Sequence, residues 1–355
     1  MGITEVQEQI KKKNRKVFVF IISLCVLAIL LFFISLFIGT TKLSFQDSIL
    51  GLFNKGSKQA NLIMSNIRLP RVLAALLVGF GMGISGLIMQ TNLNNDLAEP
   101  STLGVSNASV LGANIAIIIL SGGIVSTQNG TTFESSNPYI VSLLAFLFAL
   151  GSIFIMLILS KTKHFSPTSI ILIGIALSAV FQAITTIIQY FAVDVRLTSA
   201  VFWAFGDLER GTMEHNYIIL SVVTVSFLVF MLFAQKYNVM QTGEEISKTL
   251  GINTSRLRFI SLMLASLITA TSISIFGIIG FIGIMAPHIC RRIVGNNHKF
   301  LIPVSGLMGS IILQISDMLS RIALDGFSLP VGAITALLGA PFFLYIVFRK
   351  DRRKI

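Results

Sequence analysis

The chain has 355 residues, of which 54% are hydrophobic and 12% charged, and its mean hydropathy is +0.84. A soluble domain carries about 25% charged residues, so this composition excludes a water-soluble globular protein and makes the bilayer its solvent. The net charge of +12 would suit nucleic acid, but the bases sit between apolar runs, which excludes that partner too.

In chain order, residues 1–16 form a basic amino terminus, and apolar runs of roughly membrane-spanning length follow at 17–38, 72–90, 103–120, 139–159, 168–193, 216–235, 259–276, 278–290, 300–320 and 330–348. The predicted fold is an all-α membrane protein of about ten transmembrane helices over residues 17–348, with 278–290 the shortest span and 349–355 a basic tail. The first run has no charge and no small-residue cleavage site, so it outruns a signal-peptide core and reads as a retained span. Bases cluster at Lys11, Lys12, Lys13, Arg15 and Lys16, at Lys161 and Lys163, from Lys236 to Arg258, at Arg291, Arg292 and Lys299, and at Arg349, Lys350, Arg352, Arg353 and Lys354. Ten spans put all of these on one side, which the positive-inside rule makes the cytoplasm, with both termini there. The loop 91–102 dissents: it should share that side, yet it carries Asp96 and Glu99 and no base.

Outward loops are expected at 39–67, 121–138 and 194–215, the last with the single Trp and a short interfacial helix. The stretches 68–90 and 256–283 both open on Arg-Leu, both close on spaced glycines, and run in opposite senses. Inverted-repeat transporters have that pattern. Within GFGMGISG, Gly79 and Gly83 form one small-residue stripe and Gly81 and Ser85 another. Such stripes let helices approach closely, and tight packing is the plainer reading beside a cargo path. Asp317 is an acid inside a span, and Arg321 one turn later makes a structural ion pair the first explanation, ahead of a proton relay.

Catalytic constellations are missing. His164, His215, His288 and His298 lie in separate segments near span ends, and Cys25 and Cys290 are far apart in sequence, which suits apolar packing rather than a disulfide or a metal cluster. GLFNKGSK at 51–58 has Ser before Lys where a phosphate loop needs Gly-Lys-Ser/Thr. The chain therefore reads as no enzyme.

The polar stretch TGEEISKTLGI at 242–252 predicts a short cytoplasmic helix. Thr242 and Glu245 have capping-box spacing, Glu244 and Lys248 form an i,i+4 pair, and Gly251 is a stop. Ile246 and Leu250 share a face. Packing of that face on the chain's own helix ends or in the headgroups, and docking of a partner, both fit it.

Several stretches together resemble the FecCD-type permease subunits of binding-protein-dependent ABC importers for iron-siderophores, haem and cobalamin: RLPRVLAALLVG (68–79), SGLIMQ and NNDLAEPSTLGVSN (85–107), GEEISKTLG (243–251), GFIGIMAPHICRRIVG and NHKFLIP (280–303), and SDMLSRI and LPVGAITALLGAPFFLYI (316–346). They span nearly all of the chain after the first helix. The resemblance implies inverted repeats in the type II importer architecture, a multi-pass bacterial cytoplasmic-membrane location, and a permease dimer, homodimeric or with a paralogue. It also implies two ATPase subunits that bind ATP and Mg on separate polypeptides, and a periplasmic or extracellular substrate-binding protein. By the same resemblance, Arg68, Arg71 and Arg321 are expected at the outer mouth, exposed to acids of the binding protein. The helix at about 243–251, with Glu244, Glu245, Ile246, Lys248, Leu250 and Gly251, is expected to seat in the ATPase. Gly79, Gly83, Ser85, Gln90 and Asn107 are candidate path or gate residues between the two permeases. No cofactor or metal is expected on this chain, because an iron chelate arrives with its metal coordinated. A cobalamin permease is the alternative within the family, and a cation-coupled carrier the alternative outside it.

Overall fold

The apolar part of the first helix, Arg15–Phe37, has 23 residues, which at 1.5 Å per residue reaches about 34 Å and crosses a bilayer core. The computed structural model describes residues 3–39, 41, 43–120, 124–128, 131–135, 137–162, 166–324 and 327–351; among these, the side chains of 3–14, 101–102, 124–128, 131–135, 346–347 and 349–351 are not described. Lys11, Lys12, Lys13, Lys163, His164, Arg349, Lys350, Arg352, Arg353 and Lys354 thus lie outside the described side chains.

The elements are α1 (Ile3–Phe37), α2 (Phe45–Leu52), α3 (Lys58–Leu62), α4 (Leu69–Leu93), α5 (Val105–Asn114), β1 (Ile124–Gln128), β2 (Thr131–Ser135), α6 (Pro138–Lys161), α7 (Pro167–Tyr190), α8 (Asp194–Ala204), α9 (Met213–Leu232), α10 (Ala234–Met240), α11 (Glu244–Thr249), α12 (Thr254–Phe276), α13 (Ile282–Val294), α14 (His298–Ile322) and α15 (Val331–Asp351). A π-helical turn over Ile63–Arg68 joins α3 to α4, and another over Ile115–Leu120 extends α5. Among the described residues, 7 helices are long and apolar enough to span, and Val105–Leu120 and Val331–Tyr345 are shorter apolar helices. With the 13-residue α13 the set reaches the ten runs read from hydropathy. The all-α membrane architecture holds, with one addition: part of the 121–138 loop is an antiparallel hairpin, Ile124 opposite Ser135.

Helix ends follow their local chemistry. Asn137, Ser166, Asn253 and Asn297 each accept a backbone amide as N-caps of α6, α7, α12 and α14. Proline stands in the first turn of α6 and α7, where its missing N–H costs nothing.

Two of the spanning helices, α4 and α12, lie deepest. The most apolar windows of Lys58–Leu93 and Thr254–Phe276 are 78% and 72% buried, against 17% for Arg15–Phe37 and Pro167–Tyr190. So α4 and α12 form the centre, while α1 and α7 offer apolar surface outward. The two central helices run antiparallel: Gly81 faces Ile268, and Arg258 donates to the Asn92 carbonyl at 2.8 Å. These are the two segments that suggested a repeat. A Cβ at Gly83 would run into the Ser305 carbonyl of α14, and one at Gly86 into the Gly283 carbonyl of α13. Lipid gives no hydrophobic drive for helix pairing, so such close packing replaces it.

α13 is short because residues 277–281 are not helical. Backbone of that kind at membrane depth must be satisfied by protein, and Glu99 accepts the Phe281 N–H at 3.1 Å. The acidic loop at 91–102 thereby finds its purpose: Glu99 serves the start of α13, and Asp96 pairs with Arg291 near its end at 2.6 Å.

Candidate functional site at the two ends of the helix bundle

The described ends that carry basic residues come together. Arg258 reaches Asn92, Asp96 reaches Arg291, Asn238 donates to Asn297, and Arg292 lies over the Tyr345 ring. This is the basic end, and α11 sits on it between α10 and α12.

α11 is shorter than the sequence suggests. It begins at Glu244 with Gly243 as N-cap at φ 118°, and no side chain caps it. The expected capping box is therefore corrected. Gly243 takes a conformation that L-residues rarely adopt, and the Thr242 hydroxyl turns back to donate to the Val239 carbonyl at 2.8 Å. Ser247 does the anchoring instead, donating to the Val239 and Gly243 carbonyls at 3.1 and 2.7 Å. The exit is as read. Gly251 has φ +80°, its N–H bonds the Lys248 carbonyl at 3.0 Å, and the Ile252 N–H bonds the Ser247 carbonyl at 3.0 Å, the two-bond Schellman pattern.

The Glu244–Lys248 pair forms at 3.1 Å, and Glu244 also meets Arg258 at 3.4 Å. Burial raises the Glu244 carboxyl, but the Lys248 hydrogen bond and the Arg258 charge outweigh it and hold it below its ordinary value. Through Glu244 the helix is tied to the start of α12, and through Arg258 to the end of α4. Ile246 and Leu250 are 51% and 64% exposed. A tethered helix thus holds two apolar side chains in solvent.

The opposite end gathers the family-motif arginines, and it corrects their expected exposure. Arg68, Arg71 and Arg321 are 4%, 4% and 5% exposed. Arg68 donates to the carbonyls of Leu36 at 3.1 Å, Phe37 at 3.3 Å and Thr41 at 2.6 Å. Arg321 donates to the Ser35 carbonyl at 2.9 Å and also to the Ile38 carbonyl and the Ser35 hydroxyl. The last turn of α1 leaves carbonyls without intrahelical partners, and two cations at a helix C-terminus satisfy them and suit its dipole.

The expected Asp317–Arg321 pair is present at 2.7 Å, and Asp317 has a second partner, Arg71, at 2.7 Å. Arg71 also donates to Glu209 at 3.1 Å, Ser320 at 3.2 Å and Ser328 at 2.9 Å. One carboxylate between two guanidiniums thus fastens α4 to α14, to the loop after α8 and to the segment before α15. Burial follows from this work: a charge away from water must be paired and hydrogen-bonded.

Four of the path candidates are corrected by the same criterion. Gly79 and Gly83 are closed off by the backbone of α14. Ser85 is wholly buried, and Gln90 donates to the Gly283 carbonyl at 3.1 Å. Side chains enclosed within one chain do not face a path between two. Asn107 is part-buried and donates to the Ser178 carbonyl at 3.4 Å. Glu99, 6% exposed, escaped the sequence reading because a loop acid carries no local sign of burial. Trp203 packs inside, in a cluster with Ala200 and Ile273.

The sequence model of the FecCD transport family matches residues 27–349. The chain is 39% identical over 350 residues to a candidate ABC transporter permease protein of Methanocaldococcus jannaschii, covering 98% of this chain and 99% of that one. It is 33% identical to the Fe(3+)-citrate import system permease protein of Bacillus subtilis, covering 97% and 98%. A solved inward-facing structure of a candidate metal-chelate type ABC transporter superposes with a TM-score of 0.78 at 28% identity, covering 93% of this chain and 98% of that one. With a family match over most of its length and relatives spanning both chains end to end, this chain belongs to the FecCD transport family.

Proposed function

We propose that the chain is the membrane-spanning subunit of an ABC importer that moves an iron chelate, a siderophore complex or haem, across the bacterial cytoplasmic membrane by alternating access. The relatives support this cargo class: they include permeases named for Fe(3+)-citrate, Fe(3+)-hydroxamate and hemin import. A relative named as a cobalamin import permease, 33% identical, supports cobalamin as the second reading.

The observation that carries the coupling half of the reading is α11. A two-residue apolar face, Ile246 and Leu250, is held in solvent by a glycine-bounded helix tied to both central helices. In this reading the basic end faces the cytoplasm, and α11 seats in a groove of an ATPase subunit, where ATP and Mg are bound. Closure of the ATPase pair then reaches α12 and α4 through Glu244 and Arg258. A second permease, identical or paralogous, packs beside this one. The substrate-binding protein docks at the opposite end, whose rim Arg68, Arg71 and Arg321 hold in place from within.

The test is uptake of a ferric siderophore, haem and cobalamin by cells carrying the whole transporter with a hydrolysis-dead ATPase subunit. Uptake of one cargo class should be present with the intact ATPase and absent with the dead one. Continued uptake would sink the ABC reading in favour of a cation-coupled carrier.

A further inference from the structure

A cavity of about 370 Å³ opens at the basic end where α9 meets α10 and α12 begins, lined by Phe233, Lys236, Ile252, Arg256, Leu257 and Ile260, with Gly251 and Asn253 completing its wall. We propose that it is a binding site for an anionic phospholipid, with the phosphate between Lys236 and Arg256 and an acyl chain along α9. The inference does not depend on α11 docking an ATPase, although the cavity shares the turn where α11 ends.

Three observations carry it. The first is charge. Lys236 and Arg256 are both exposed, and no acidic residue lines the cavity. Among the described residues neither base enters an ion pair, although other bases at this end, Lys248, Arg258 and Arg291, do. The Lys236 ammonium stands 4.9 Å from the centroid of the Phe233 ring, a contact that positions a cation without neutralising it. Two unneutralised cations over apolar walls are the chemistry of a phosphate diester with hydrocarbon attached.

Depth is the second. Phe233 directly follows the last residue of α9, and Arg256, Leu257 and Ile260 lie in the first two turns of α12. The cavity is therefore level with the ends of two spanning helices, where headgroups lie, and basic pockets between helices at that level bind anionic headgroups.

The third is continuity with the lipid-facing surface. Val225, Leu228 and Leu232, at i, i+3 and i+7 on α9, are all exposed, so they form one apolar stripe that ends beside Phe233. On α12, Phe259 is exposed as well. A headgroup seated between the two bases has a track for its chain already laid.

The experiment uses the full-length chain purified in its assembled transporter. Retained lipid is counted by native mass spectrometry after incubation with dioleoyl phosphatidylglycerol or dioleoyl phosphatidylcholine. The glycerol lipid should be retained over the choline lipid. Each basic side chain near an anionic headgroup contributes about fivefold, so R256Q should lower phosphatidylglycerol retention about fivefold and K236Q with R256Q about 25-fold. K236R with R256K should restore it, while K16Q with K161Q, an equal loss of charge elsewhere, should leave it unchanged. Inorganic phosphate at millimolar concentration should not displace the lipid. Equal retention of both lipids, or wild-type retention by the double variant, overturns the proposal. So does full displacement by phosphate, which would make this a free-anion site. Loss of a co-purifying subunit from the double variant with phosphatidylglycerol retention intact also overturns it, by giving the surface to a protein.

Discussion

At the end built by α1, α4 and α14, Arg68, Arg71, Asp317 and Arg321 are 4%, 4%, 0% and 5% exposed, whereas at the basic end α11 leaves Ile246 and Leu250 51% and 64% exposed. Both regions match motifs of the same family, yet one has drawn its charges inward and the other holds apolar groups out. A buried, hydrogen-bonded ion cluster fixes geometry, and any contribution to recognition passes through the shape it maintains. An anchored helix with apolar side chains in water leaves apolar area that a contact could still bury. The first region is a fastener, and in the proposed reading the second is a plug.

The largest expected effect tests the fastener. Asp317→Ala removes the carboxylate shared by two buried guanidiniums, leaving Arg71 only the half-exposed Glu209 for an ion pair, and should cost about 3–5 kcal/mol, read as a fall in thermal unfolding temperature in detergent; an unchanged midpoint would mean that solvent already reaches the cluster. Gly83→Val should come next, at about 1–3 kcal/mol, because its side chain meets the Ser305 carbonyl of α14 and the helices must part. At α11, Glu244→Gln should cost at most about 1 kcal/mol, since Glu244 is itself 36% exposed and solvent screens its pairs with Lys248 and Arg258. Its signature is pH. The Glu244 carboxyl is held below its ordinary value of 4.5, so its contribution is full above that value and is lost as pH falls through the folded one. Hydrogen exchange at 246–252, corrected for intrinsic rate, should speed up in acid in the wild type and show no such acid step in the glutamine variant.

Spans and their order were legible because lipid forces backbone groups into helices, and the hydropathy of each run reports it. Local features of α11 were legible for the same reason of proximity: Glu244 and Lys248 are four residues apart, and Gly251 needs only its own φ. The start of α11 misled because the sequence does not record that Gly243 turns left-handed, which leaves the Thr242 hydroxyl facing backwards. Arginine environments were legible only where the partner is local. The partner of Asp317 one turn away was readable, but Arg71 lies 246 positions distant, and only the packing of α4 on α14 brings it near. Glu99 shows the converse: its burial is set by residues 277–281, a break in helix that no loop composition announces.

In the proposed function α11 is the contact with the ATPase, and the exposed pair Ile246 and Leu250 is where it can be broken. Ile246→Asp with Leu250→Asp, made in the complete transporter, alters two exposed side chains and should shift the permease's own unfolding by no more than about 0.5 kcal/mol. Co-purification of the ATPase subunit and cargo uptake should both be lost. Retention of the ATPase with uptake at the wild-type rate would contradict the claim that this face is the coupling surface.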